Sequence, residues 1–389
     1  MFMPFTYKHD VQIEFGPGKT KDIAESVKAE NAGKAMLVID KDLRKLHIAD
    51  EICAALTENN IAYCIFDDFT PNPSVLSVDS CAKQIRAEHC EIIIAIGGGS
   101  SMDVGKGAAV IATNEGGIMD YMYLRKDNAK VPEHPLLPVI AVPTTSGTGS
   151  EVSECIVLID TDNIKDVMYS SILLPKYAYV DPELTYKMPA SICANTGLDV
   201  LGHALEAYIA TLENIMADLF AKEAIKLTFQ YLPKAVSGDK EARIYMALAS
   251  MYAGIAQSKN GCVLPHAVSC PLSASYGVPH GLGVGVAQIP NIEYTRDVCA
   301  EQYKQILDYI DPLAHEVPAD EAADGLIEKI KTLFTAVGVD MKLDIGAVDK
   351  AVITKMSREA LLEIDIEGSP RQPVTQEDVE AFYYKMLKL

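Results

Sequence analysis

Residues 92–106 read IIIAIGGGSSMDVGK: an apolar run, three glycines, then a polar segment leading into further apolar sequence. A short β-branched run without polar alternation reads as a strand covered on both faces, as in a parallel sheet. Glycines at its end, followed by a helix, are where such sheets bring backbone N–H groups to a phosphate. Two standard patterns fail. Counted back from Gly105 and Lys106, a P-loop needs glycine where Ser100 stands and a hydroxyl where Gly107 stands. In the G-x-G-x-x-G fingerprint, Gly97 and Gly99 leave Met102 at the third glycine. The loop is therefore either a nonstandard phosphate cradle or an ordinary strand-to-helix turn. In both readings Ser100 caps a helix starting near Ser101, and Asp103 reaches back in a capping box.

Outward from this loop, the first half alternates β-branched runs with amphipathic segments. An opening hairpin over residues 5–15 is expected, closed by Gly16, Pro17 and Gly18. Strands follow at 35–39, 62–66, 92–96, 139–142 and 155–159, with helices between them, one over 77–88. That rhythm predicts a doubly wound, Rossmann-like parallel sheet. Asp40 ends the strand at 35–39, where an acidic side chain binds a ribose 2′-OH or simply serves a turn. PNP at 71–73 is a rigid turn that leaves the Asn72 amide for a ligand, and PTTSGTGSEV at 143–152 is a second glycine-rich loop after a strand. Two such loops at strand ends favour a nucleotide.

Past about residue 186 the texture becomes helical, with apolar three- and four-residue spacing over 198–212, 217–231, 241–257, 326–337 and 377–387. The expected organisation is an α/β domain over 1–185 and a helical bundle over 186–389. The chain of 389 residues is 49% hydrophobic, ample for two cores, and its 34 basic against 54 acidic residues give a formal charge of −20. Such a charge argues against nucleic-acid or anionic-membrane partners. Nine cysteines without a C-x-x-C pair, and no basic leader ahead of an apolar stretch, point to a cytoplasmic protein with reduced thiols.

The helical half carries the sharpest chemical pattern. In TGLDVLGHALEAY (196–208), Asp199 and His203 are four apart and share a helix face. His266 and His280 add two imidazoles. One carboxylate and three imidazoles suit a divalent transition metal, Fe²⁺ or Zn²⁺, with room for a substrate oxygen. Any one of these histidines alone reads as an ordinary core or surface residue; the set is what points to a metal.

GGGSSMDVGK, AVPTTSGTGSE, TGLDVLGHALEAY and the segment from His266 to His280, in this order, resemble the iron-containing (group III) alcohol dehydrogenase family, and the similarity extends from FGPG (15–18) and PNP to SPR (369–371). The resemblance implies an NAD(H)-dependent enzyme with its active site in a cleft between the two domains. It implies Fe²⁺ as the metal, with Zn²⁺ the alternative, held by Asp199, His203, His266 and His280. By the same resemblance Gly97, Gly98, Gly99 and Ser100 cradle a pyrophosphate and Asp40 meets the adenosine ribose. Asn72, Asp103, Thr144, Thr145, Ser153 and Lys165 complete the cofactor set. The implied reaction interconverts a short primary alcohol or diol and its aldehyde, and the expected partners are that small molecule and further copies of the chain in a homodimer or higher homo-oligomer.

Departures from the family bear on substrate. Many members carry a second histidine four residues after the third ligand, where this chain has Cys270. A neutral thiol is a poor proton relay near pH 7, so Cys270 is either packing or a thiolate donor that favours zinc. Where relatives often place an aromatic residue, AGIAQSKNG (253–261) offers Gln257, Ser258 and Lys259, with Glu154 and Cys155 near the matching wall. A polar wall with an ammonium favours a diol, a hydroxyaldehyde or an aldehyde with an acidic tail, unless Lys259 faces solvent. The competing readings are a glycerol dehydrogenase, a dehydroquinate synthase-like enzyme, or a metal- and nucleotide-binding regulator without chemistry.

Overall fold

The computed structural model describes residues 6–122, 129–161, 164–212 and 214–389. It divides into two compact units, one built from Tyr7–Thr145 and Gly149–Lys187, the other chiefly from Met188–Leu389 with the short segment Ser146–Thr148. Among the described residues no helix is long and apolar enough to cross a membrane.

The first unit carries strands β1 (Gln12–Phe15), β2 (Lys34–Ile39), β3 (Ala62–Phe66), β4 (Ile92–Gly97), β5 (Val139–Pro143), β6 (Cys155–Ile159), β7 (Lys165–Tyr169) and β8 (Tyr177–Val180). Its helices are α1 (Ile23–Ala29), α2 (Lys41–Lys45), α3 (Asp50–Glu58), α4 (Val75–Glu88) and α5 (Gly99–Thr113). Six strands form one parallel sheet in the order β1-β8-β5-β4-β2-β3. Side chains alternate across it, as a pleat requires. Met36, Val38, Ile93 and Ala95 join one apolar layer with α4 and α5. Leu37, Ile39, Ile92, Ile94 and Ile96 join the opposite layer with α1 and α3. Helices on both faces explain why the strand at 92–96 reads as an unbroken apolar run. Between β2 and β4 the strand order reverses, because β2 leads outward to β3 and β4 leads the other way to β5. That crevice is where an open α/β sheet takes its ligand.

Two expectations are corrected. Among the described residues, which leave out residue 5 of the expected hairpin, no hairpin forms: β1 pairs in parallel with β8, Gln12 opposite Tyr177 and Phe15 opposite Val180. Gly16 and Gly18, at φ 139° and 78°, turn the chain into a short 3-10 segment, Lys19–Asp22. The Asp181 carboxylate, directly after β8, accepts from Gly18 N and Thr20 N at 3.0 and 3.1 Å and ties the two strand ends together. The strand at 155–159 is likewise outside the main sheet, pairing antiparallel with β7 in a separate two-stranded ribbon. Only alternate residues of β6 are buried, Ile156 and Leu158 fully, a pattern that the all-apolar sequence CIVLI conceals.

The second unit is helical: α6 (Ala190–Ile209), α7 (Ile215–Val236), α8 (Lys240–Asn260), α9 (Leu264–Tyr276), α10 (His280–Thr295), α11 (Ala300–Ile310), α12 (Ala319–Val337), α13 (Lys350–Ala360) and α14 (Gln376–Met386). Helix α6 is buried along most of its length and packs on α7, α8 and α10. Its contact with α10 depends on glycine. A Cβ on Gly281 would lie 2.2 Å from Asn195 O and 2.7 Å from Asp199 Cβ, and one on Gly285 would lie 2.8 Å from Leu198 Cβ. These bare positions, one turn apart, let α10 settle onto α6 and carry His280 toward Asp199. Gly281→Ala should therefore force the helices apart at about 1–3 kcal/mol, the usual cost of overpacking. Denaturant unfolding would register this as a lowered midpoint; an unchanged midpoint would contradict the close approach.

Candidate functional site

In the α/β unit, Asp40, Gly97 to Ser100, Thr144 and Thr145 of the predicted cofactor set lie at the ends of β2, β4 and β5, whereas Asn72 follows β3, Ser153 precedes β6 and Lys165 opens β7. Gly97 takes φ 148°, and a Cβ there would lie 2.2 Å from Ser101 Oγ, so the loop admits no side chain at this position. Gly98 lies at the mouth of α5, and its added Cβ would meet Thr145 Oγ1 at 3.4 Å. Thr144 N donates to Gly97 O at 2.9 Å, joining the two glycine-rich loops. Asn72, in a left-handed backbone conformation, donates its N–H to Ser100 Oγ at 3.3 Å. The Thr144 hydroxyl is buried without a hydrogen-bond partner, and a ligand oxygen would satisfy it. A pyrophosphate fits these residues.

The expected capping box is absent. Helix α5 starts at Gly99 with Gly98 as its N-cap and no side chain on the free N–H groups, which stay available to an anion. Asp103 instead turns toward β6. Desolvation pushes its carboxyl up to about 7, opposed by the charges of Lys106 and Lys165 and by hydrogen bonds from Val157 and Ser150. Asp40 is half-buried and caps α2, its Oδ1 accepting from Asp42 N and Leu43 N at 2.8 and 3.0 Å. Lys165 opens β7.

Lys106, set aside in the sequence as a failed P-loop lysine, is buried at 1% exposure. Its Nζ donates to the carbonyls of Ser150, Ser153 and Cys155 at 2.9, 3.1 and 2.8 Å and to Ser153 Oγ at 3.2 Å. One ammonium thus fixes the turn that holds both Ser153 and Cys155. Its three N–H donors at a helical offset from the glycines are the only sequence hint of this role.

In the helical unit, donor groups from three helices converge. Asp199 and His203 come from α6, His266 from α9 and His280 from the first turn of α10. Asp199, His266 and His280 each offer a donor atom within 4.8 Å of the others. His266 Nε2 and His280 Nε2 lie 3.9 and 4.0 Å from Asp199 Oδ1. These separations are too long for hydrogen bonds and slightly wider than the ~3.3 Å between tetrahedral ligands at 2.0–2.1 Å bonds. His203 joins through a second set, with His266 and Cys262, again within 4.8 Å, and its ring centroid is 4.5 Å from that of His266. Asp199 Oδ1, His203 Nδ1 and His266 Nε2 are buried with no hydrogen-bond partner. Orphaned polar atoms on three buried side chains are costly unless something binds them, and a carboxylate with imidazoles suits a divalent transition ion. The residues present fit the metal.

Glu206, fully buried on α6, organises this set and is not among the residues singled out from the sequence. Its Oε2 accepts from Val263 N at 2.9 Å and His266 N at 3.4 Å; its Oε1 accepts from Gln288 Nε2 at 2.7 Å and contacts His266 Nδ1 at 2.8 Å. It therefore seats the start of α9 and orients the His266 ring. The available signal was its place three residues after His203 and seven after Asp199, on one helix face. Burial opposes charge on His266, but the Glu206 carboxylate, by charge and hydrogen bond, together with Asp199, raises the ring to about 9. His203 moves the other way, lowered chiefly by burial. Ser269 Oγ stands 3.3 Å from His280 Nδ1 and orients the more exposed ring.

The pocket residues scatter. Gln257 is buried, its Oε1 3.9 Å from Cys262 Sγ. Lys259 is half-buried in the last turn of α8. Cys270 lies beside Tyr383, whose hydroxyl donates to Val268 O at 2.9 Å, and belongs to neither donor set found among the described residues. Cys155 opens β6, its carbonyl held by Lys106.

Glu206→Gln should weaken metal binding about 10- to 100-fold, the range for losing a supporting carboxylate, because one end of the amide would turn N–H groups toward N–H donors. Metal content after dialysis against graded chelator measures this; retention equal to wild type would contradict it.

The chain matches the family model for iron-containing alcohol dehydrogenase over residues 11–182 and that for the Fe-containing alcohol dehydrogenase family, C-terminal, over 193–387. It is 33% identical over 374 residues to the 1,3-propanediol dehydrogenase of Citrobacter freundii, covering 95% of each chain. Among solved structures, a 1,3-propanediol oxidoreductase superposes with a TM-score of 0.92 at 31% identity over 99% of this chain and 100% of that one. Sulfoacetaldehyde reductase from Bifidobacterium kashiwanohense, in complex with NAD⁺, superposes at 0.87 with 32% identity over 99% of each chain. With both family models matched in sequence and most of the chain covered, the protein belongs to the iron-containing alcohol dehydrogenase family.

Proposed function

We propose that this enzyme interconverts a short primary alcohol or diol and its aldehyde with NAD(H), at a divalent metal held by Asp199, His203, His266 and His280, and that it favours an aldehyde with a polar or anionic tail. The observation that carries the reading is the convergence of donor atoms from Asp199, His266 and His280, of which Asp199 Oδ1 and His266 Nε2 are buried with no hydrogen-bond partner. When bound, the metal supplies Lewis acidity to the carbonyl oxygen and the nicotinamide gives or takes the hydride.

The chain's own residues supply the rest. Gly97, Gly98, Gly99 and Ser100, with the free N–H groups of α5, hold the pyrophosphate, and Thr144 and Ser153 add hydroxyls. Asp40 spends Oδ1 on capping α2, leaving Oδ2 for the ribose 2′-OH, where it would repel a 2′-phosphate and favour NADH. Glu206 holds the His266 Nδ1 side, so that Nε2 faces Asp199. Gln257 and Lys259 give the pocket a polar wall. Sulfoacetaldehyde reductase, a relative of comparable identity to the propanediol enzymes, is named for an aldehyde with an anionic tail, which supports the finer substrate reading.

The test is kcat/KM with NADH for sulfoacetaldehyde against butyraldehyde. A charge-assisted hydrogen bond in a partly desolvated pocket is worth about 1.5–3 kcal/mol, so wild type should prefer the anionic substrate by about tenfold to a hundredfold. Lys259→Met should erase most of that preference and leave butyraldehyde turnover nearly intact. An unchanged preference in the variant would remove Lys259 from the substrate pocket.

A further inference from the structure

Cys262 stands in the loop between α8 and α9, four residues before His266 and 4% exposed. Its position is fixed from both sides. Gly261, in a left-handed backbone conformation with φ 78°, closes α8 by donating its N–H to Gln257 O at 2.8 Å. Val263 N is held by Glu206 Oε2 at 2.9 Å. Between these anchors the Cys262 sulfur is placed so that it, a ring nitrogen of His203 and a ring nitrogen of His266 all lie within 4.8 Å of one another. The sulfur also lies 3.9 Å from Gln257 Oε1.

The imidazoles give the independent sign that something binds there. His203 and His266 are each 6% exposed, and His203 Nδ1 and His266 Nε2 have no hydrogen-bond partner. His266 belongs to both donor sets, the one with Asp199 and His280 and the one with His203 and Cys262. The first is a hard set of carboxylate and imidazole; the second adds sulfur. Thiolate is the soft ligand that selects zinc over ferrous ion, and two imidazoles with one thiolate is a donor combination that zinc accepts readily.

We infer that Cys262 is a thiolate donor to the metal centre, forming with His203 and His266 a soft donor set that shares His266 with Asp199 and His280 and biases the centre toward zinc. The inference rests on the proposed metal centre, but goes beyond it in assigning a ligand, and a metal preference, to a residue outside the expected four. It also moves the thiol chemistry away from Cys270, which lies beside Tyr383. On binding, the thiol proton passes to solvent and sulfur donates its lone pair to the ion.

The test loads metal-stripped full-length protein with one equivalent of Zn²⁺ or Co²⁺. Zinc X-ray absorption should show a sulfur shell at about 2.3 Å beside the nitrogen and oxygen shell at about 2.0–2.1 Å. Cobalt should show a sulfur-to-metal charge-transfer band in the near ultraviolet. Cys262→Ser should lose both signatures while still binding one equivalent, retain zinc about tenfold less well, and retain Fe²⁺ as wild type does. A wild-type centre with nitrogen and oxygen ligands only, or sulfur signatures that survive Cys262→Ser, would overturn the assignment while leaving the metal centre standing. Failure of wild type to bind either ion would remove the centre itself, and this assignment with it. If the variant does not fold, the wild-type sulfur shell still decides the question.

Discussion

The Glu206 carboxylate is the contact on which the helical site depends. Both of its oxygens are fully engaged, one by the amides of Val263 and His266, the other by Gln288 and the His266 ring. A carboxylate with no solvent exposure is tolerable only when its lone pairs are filled in this way. The arrangement joins α6, α9 and α10 through one side chain, so the start of α9, the orientation of His266 and the placement of Cys262 share a single cause. The glycine contact of α10 on α6 completes the frame by bringing His280 to Asp199.

A parallel logic governs the α/β unit, with the charge reversed. There a buried ammonium, Lys106, collects three carbonyls and a hydroxyl and fixes the turn after the second glycine-rich loop. Burial lowers the pKa of that lysine, while the nearby charges of Cys155, Asp103 and Glu151 act to raise it. Glycine-rich loops can approach an anion closely only if their neighbours are held still, and Lys106 supplies that rigidity without occupying the loop. In each unit the residues expected to touch ligand are positioned by one buried ion, bonded to three carbonyls and a hydroxyl at Lys106 and to two amides and two side chains at Glu206.

Much of this was legible in the sequence because it is local. The unbroken run at 92–96 identified a strand covered on both faces, and the glycines after it marked a loop that admits no side chain at Gly97. The four-residue spacing of Asp199 and His203 placed both on one helix face. What was not legible depends on partners distant in the chain. The turn at Gly16–Gly18 is real, but β1 pairs with a strand more than 160 residues later, and only Asp181 reveals why. Asp103 has the spacing of a capping box, yet the glycine N-cap of α5 leaves it facing β6 instead. Glu206 lies within TGLDVLGHALEAY, but its role is set by hydrogen-bond partners distant in the chain, Val263, His266 and Gln288. Cys270 drew attention by its spacing from His266, whereas the loop geometry brings Cys262 to the imidazoles.

The proposed chemistry requires that Asp199, His203, His266 and His280 converge on a single metal ion in this chain. The most direct measurement is an anomalous difference map at the iron edge from crystals of the Fe²⁺-loaded protein. A single peak within bonding distance of the Asp199 carboxylate and the three imidazoles is the predicted result. Ordered density for all four side chains with no anomalous peak among them, in protein that reduces aldehydes with NADH, would contradict it.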